Sequence, residues 1–144
     1  MANAFGDYAE DQILGWVRGT SMPAAPATLY LGLLTALPGD SGSAGTPSNG
    51  TEVTAANGYA RVAITSASGW SAISTVNTTQ RHITNAATIT FPAATGSWGT
   101  VVGWALYDAA TLGNLWFYGS ITSQAITSGM TPSLAAGQVD IACD

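Results

Sequence analysis

The chain reads as a mostly β protein, a compact antiparallel β-sandwich or barrel of about seven short strands with a short N-terminal helix. Three observations predict it. Charged residues make up only 8% of the chain, and the Ser, Thr, Gly, Ala and Asn that replace them suit turns and strands better than helices. Short apolar runs recur at roughly ten-residue spacing with turn residues between them. A helical pattern is found only near the start.

That helix is predicted from Asp7, which with Glu10 forms a capping-box pattern with Asp in the cap position, while Ala9, Ile13, Trp16 and Val17 fall on one face and Gly19 ends it. Pro23 and Pro26 then punctuate an extended link. Residues 28–34 read as a buried strand, and residues 38–51 contain almost nothing to bury and read as a long exposed loop. Further strands are expected over 59–65, 70–76 and 82–91, the last stopped by Pro92. Residues 100–107 and 115–121 flank a turn-rich connection from Asp108 to Asn114 and suggest a hairpin, and 138–143 supplies a final strand. This divides the chain into an N-terminal helical segment or arm, residues 1–26, and a single β domain, residues 27–144. No internal repeat is evident, and strand order is not legible.

At 144 residues the chain is long enough for one domain with its own core. No apolar run approaches the ~20 residues that span a bilayer, the longest being 29–37, so no membrane partner is expected. The start lacks the positive region of a secretory signal, which suggests synthesis in the cytoplasm without export. There is no Lys, and Arg18, Arg61 and Arg81 face eight carboxylates for a net charge of −5. That balance opposes binding to a phosphate backbone, so no nucleic-acid partner is expected. Cys143 is the single cysteine, which leaves neither an internal disulfide nor a cysteine metal cluster.

Candidate chemistry is sparse. Gly39, Asp40, Ser41 and Gly42 match the tetrapeptide around the nucleophile of chymotrypsin-like proteases, but there the His and Asp precede the Ser, whereas the one His here, His82, follows it. His82 has Arg81 beside it and no acid nearby in sequence, so a strand position explains it better than a general base. Asp7, Glu10 and Asp11 suit the first turn of a helix as they stand. Asp40, Asp108, Asp140 and Asp144 lack the spacing of a calcium loop. Asn49 and Asn77 open N-glycosylation sequons, which arise readily in Thr-rich sequence. No catalytic group, no metal site and no cofactor are expected. The five tryptophans, Trp16, Trp70, Trp98, Trp104 and Trp116, can serve as core, interface or sugar-stacking residues.

Gly58-Tyr59-Ala60-Arg61, Ile89-Thr90-Phe91-Pro92, Trp98-Gly99-Thr100-Val101, Leu106-Tyr107-Asp108-Ala109, Gly113-Asn114-Leu115 and Tyr118-Gly119 occur in that order. The series resembles a family of small tailed-bacteriophage virion structural proteins, often labelled tail fibre proteins and similar to capsid decoration, or cement, proteins. Residues 27–34 and Thr51-Glu52-Val53 extend the likeness over nearly the whole chain.

The resemblance implies a virion protein made in the host cytoplasm. A receptor-binding fibre usually needs a repeat shaft or a long stalk, for which 144 residues leave little room. The reading is therefore a capsid decoration protein, a homotrimer that binds the major capsid protein on the outside of the head and stabilises contacts between capsomers. The alternative is a tail-fibre or baseplate module that binds host glycans. Candidate interface residues are Tyr8, Ile13, Leu14, Trp16, Trp70 and Trp98. Arg61 is expected to pair with a carboxylate such as Glu52 or Asp108.

Overall fold

The computed structural model describes residues 3–39, 50–66, 68–76 and 80–143. Most of the 38–51 loop, with Asp40, Ser41 and Asn49, lies outside the described residues, as do the Asn77 sequon and Asp144. Among the described residues there is one α-helix and the chain is otherwise built from antiparallel strands, as composition predicts.

The elements in order are β1 (Asn3–Phe5), α1 (Asp7–Val17), β2 (Thr28–Ala36), β3 (Thr51–Glu52), β4 (Val62–Thr65), β5 (Ser74–Val76), β6 (Gln80–Thr84), β7 (Ile89–Thr90), β8 (Gly99–Tyr107), β9 (Leu115–Ile126), β10 (Ser133–Leu134) and β11 (Asp140–Cys143). The main sheet runs β1-β9-β8-β2-β3, with β4 also paired to β2; β10 pairs with β7, and β11-β6-β5 form a third sheet. The described residues thus form eleven strands where about seven were expected. β1, β3 and β10 span two or three residues each, too few for alternation to register. The 82–91 segment breaks into two strands at Asn85.

Asn85 is 1% exposed and ties three chain segments. Its Nδ2 donates to the carbonyls of Ala87 (2.8 Å) and Ala135 (2.9 Å), and its Oδ1 accepts from the N–H of Val139 (2.9 Å). A buried amide with both ends satisfied avoids the desolvation penalty it would otherwise carry. The chain therefore turns there and does not run on as strand.

The core lies between the main sheet and the two smaller ones. Leu31, Leu33, Val101, Trp104, Leu106 and Ile126 from the main sheet pack with Ile89, Phe91, Leu134 and Ile141 opposite. The other face of β2 and β8 is covered as well, by a cluster of Leu34, Ala105, Tyr107 and Leu115. Double coverage explains why Leu31, Gly32, Leu33 and Leu34 are buried without interruption.

β2 has an unusual second edge. β4 pairs with its first half, from Thr28 to Leu31, and β3 with its last, at Leu34 and Ala36. Between them the Leu33 carbonyl accepts from the N–H of Val53 (2.9 Å), but the Leu33 N–H donates to the hydroxyl of Tyr59 (2.9 Å). A side chain fills the place of a strand.

The helix begins one residue earlier than its capping pattern suggests. Gly6 is the N-cap and no side chain caps it. Its N–H donates to the Trp116 carbonyl (2.8 Å), and a Cβ at Gly6 would stand 2.5 Å from the Leu115 carbonyl oxygen. Close approach to β9 thus reserves the position for glycine and leaves Asp7 in the first turn, where its charge suits the helix dipole.

Candidate functional site

Two features stand out: a helix with exposed apolar side chains, and a largely buried charged lock between Glu52 and Arg61.

The N-terminal segment is fastened to β9. β1 pairs with it in the register Ala4 to Tyr118 and Phe5 to Phe117. The Phe5 and Phe117 rings lie 5.2 Å apart, and Tyr8 meets Trp116 edge-on at 5.1 Å, the arrangements aromatic pairs favour. Ala9 is 1% exposed. Of the apolar face formed by Ala9, Ile13, Trp16 and Val17, only Ala9 is covered. Ile13, Leu14, Trp16 and Val17 are exposed by 40%, 62%, 64% and 73%, with Met22 nearby in sequence at 43%. An exposed Leu alone is ordinary, but several large apolar residues on two turns of one helix form a patch of the kind that marks a contact site.

The sequence candidates therefore separate. Ile13, Leu14 and Trp16 are all exposed near the C-terminal end of α1, and Tyr8 is half-buried in the anchor at its start. Trp70 is half-buried against the core and bridges to Asn85. Trp98 is 5% exposed; its indole N–H donates to the Asn57 carbonyl (2.8 Å) and its ring meets Tyr59 edge-on. Trp98 is a core residue, which corrects its assignment to an interface: packing against Tyr59 leaves no face for a partner.

The lock is centred on Glu52. Arg61 holds its carboxylate by two bonds, Nε to Oε1 (2.8 Å) and Nη2 to Oε2 (2.6 Å), and the Tyr59 hydroxyl donates to Oε1 (2.7 Å). Arg61 Nη1 also donates to the carbonyls of Ala109 (2.7 Å) and Leu112 (2.8 Å), and the guanidinium lies over the Tyr107 ring. One side chain thereby ties β3 to the β8–β9 connection. A bidentate pair supported by a cation–π contact is a strong, geometry-specific arrangement. Of the two partners foreseen for Arg61, Glu52 is the one used.

The surroundings shift the groups in the lock. Burial, followed by the hydrogen bond to Glu52 and its charge, holds the Tyr59 phenol well above the usual tyrosine value. Burial and then the Glu52 charge push Tyr107 up to about 12. Burial works against the Arg61 charge, but the Glu52 hydrogen bonds and charge outweigh it and raise its value. Asp108, the other candidate partner, closes the hairpin connection: it accepts from the Asn114 backbone N–H (2.7 Å), the Asn114 amide (2.8 Å) and the Trp116 indole (3.3 Å). Burial raises its value, and these donors together outweigh that and lower it.

His82 has an acidic neighbour that sequence distance conceals. Antiparallel pairing of β6 with β11 sets its Nδ1 3.0 Å from Asp140 Oδ1. A His–carboxylate pair orients an imidazole, but nucleophilic catalysis also needs a hydroxyl or thiol in reach of the other nitrogen, and Ser41 lies outside the described residues. Among the described residues no cluster of three or more His, Cys, Asp or Glu is grouped to hold a metal ion, and no helix is long and apolar enough to cross a membrane.

A family model described as podophage GP4 fiber I protein gp80 matches residues 4–142. No curated protein matches the chain.

Proposed function

The chain belongs to the podophage GP4 fiber I protein gp80 family, a family of phage virion structural proteins, and on that premise we propose that it is a non-enzymatic fibre subunit held in the particle through the α1 face. The observation that carries this reading is the exposure of Leu14, Trp16 and Val17 on a helix whose root is pinned to β9. A rigid base with an apolar outer face suits a permanent protein contact, where aromatic and aliphatic anchors supply most of the binding energy. The neighbour in this proposal is a further copy of this chain in a homotrimer, the assembly expected from the likeness to capsid decoration proteins and carried over here to a fibre position.

The family description favours a fibre position over head decoration, and with it a fibre protein, and not the major capsid protein, as the surrounding structure. Nothing in this role requires nucleic acid, a cofactor or a metal, and a net charge of −5 works against the first.

Two measurements test the proposal. Quantified against the major capsid protein in purified virions, this chain should be present at a small fraction of its copy number; a comparable copy number would restore the head-decoration reading. In sedimentation velocity the purified chain should be trimeric, and Leu14→Glu with Trp16→Glu should yield monomers of unchanged circular dichroism. A wild-type monomer, or a trimer indifferent to these substitutions, would rule out the α1 contact.

A further inference from the structure

A cavity of about 410 Å³ opens between the main sheet and the β7–β10 pair, within the ~300–1,000 Å³ range of small-molecule sites. Its apolar side comes from core residues that include Leu33, Phe91, Ile126 and Leu134, and its polar side from Thr122, Gln124, Ser133 and Gln138. None of the lining residues is ionisable, in a chain of net charge −5.

The cavity owes its shape to an irregularity in β9. Val101 stands opposite Gln124 and Gly103 opposite Ser120, so residues 121–123 of β9 face the single residue 102 of β8. An enlarged bulge of this kind bends the strand and re-aims its side chains. Ile121 and its chain neighbour Thr122, which a regular strand would send to opposite faces, both line the cavity.

The polar groups are available. Gln138 is oriented because its Oε1 accepts from the Ala135 N–H (2.6 Å), which leaves its amide N–H groups for another acceptor. The side chains of Thr122, Gln124 and Ser133 make no hydrogen bond to other described residues. Together they offer hydroxyls and amides that both donate and accept.

We propose that this cavity binds a neutral saccharide unit carrying an apolar substituent, such as the methyl group of a 6-deoxyhexose or of an N-acetyl group. Sugar hydroxyls are simultaneous donors and acceptors and match the Thr122, Gln124, Ser133 and Gln138 set. The substituent meets the Ile121 and Leu134 side. A charged ligand finds no counter-charge in the lining, and an acidic one is also opposed by the net charge. A purely apolar ligand would strip water from four polar side chains and return no hydrogen bonds. The proposal stands on the cavity and not on the fibre reading.

The test is amide chemical-shift mapping of the full chain with methyl rhamnoside, methyl N-acetylglucosaminide and, as the charged comparison, N-acetylneuraminic acid. At least one neutral sugar should perturb resonances of residues 121–126 and 133–138. Gln124→Ala or Ser133→Ala, at exposed positions, should weaken its binding by about five-fold each, the loss of one neutral hydrogen bond. Leu14→Glu on α1 should leave binding unchanged. No perturbation by either neutral sugar, perturbation elsewhere or insensitive to Gln124→Ala, or equal binding of the acidic sugar would overturn the proposal.

Discussion

The guanidinium carbon of Arg61 lies 3.4 Å from the centroid of the Tyr107 ring, and the same guanidinium takes both oxygens of Glu52. The Arg61 and Glu52 side chains are only 8% and 22% exposed, so both charges are largely shielded from water. Removing one partner strands the other.

Arg61→Ala should therefore destabilise the fold by about 3 kcal/mol, the low end for breaking a buried pair. Arg61→Lys should recover only part of this, because an ammonium can neither grip a carboxylate bidentately nor stack as a plane on Tyr107. Urea midpoints of the three proteins decide the matter; a lysine variant as stable as the wild type would count against a geometric role.

The alkaline limb of stability follows from the two tyrosines of the lock. Both phenols are raised above their unfolded value near 10, Tyr107 to about 12. A raised group contributes stability that is complete below its unfolded value and is lost as pH rises toward its folded one. Unfolding midpoints should hold to about pH 9 and then decline between about 10 and 12. Tyr59 and Tyr107 should resist ionisation in a phenolate absorbance titration until the protein unfolds, and a Tyr59→Phe, Tyr107→Phe variant that leaves the high-pH part of the titration unchanged would contradict this.

Asp108 sets the opposite limb. Its value is lowered, so its contribution is present above the unfolded value of about 4 and disappears as pH falls through the folded one. Asp108→Ala should cost about 1–2 kcal/mol at neutral pH, since it leaves the Asn114 N–H without its acceptor. The variant's stability should also fall less steeply than the wild type's below pH 4, as measured by thermal midpoints across the acid range.

Gly119 lies opposite Trp104 on the neighbouring strand, and a Cβ there would stand 2.6 Å from the indole ring. Trp104 is 1% exposed and has no room to retreat. Gly119→Ala should lower stability by about 1–3 kcal/mol through overpacking. A calorimetric midpoint unchanged by the substitution would show that the ring can move.

What could be read in advance follows the range over which each signal acts. The β8–β9 hairpin was legible because Asp108, Gly113 and Asn114 are turn residues between two apolar runs. The helix was legible by its period, but not its first residue, because the approach of Gly6 to β9 is a tertiary fact. Ile13, Leu14 and Trp16 were legible as interface candidates, whereas the exposure of Val17 was hidden: periodicity reveals that a face is apolar, not that this chain leaves it uncovered. The partner of His82 lies 58 residues away, a pairing set by the register of β6 and β11. Glu52 was within reach of sequence reasoning as the partner of Arg61, whereas the stack on Tyr107 was not. The cavity left no trace, since Thr122, Gln124, Ser133 and Gln138 are neutral residues of kinds found throughout the chain.

The Tyr59 hydroxyl stands in the β2 ladder where a backbone carbonyl would ordinarily be. A carbonyl is supplied by every amino acid, so most of the sheet's cohesion survives any change of side chain. At Leu33 cohesion depends on one residue's identity, and the same oxygen also donates to Glu52. The backbone of the central strand and the charge of the lock are thus joined through a single atom, and loss of that atom, as in Tyr59→Phe, would expose both to failure at once.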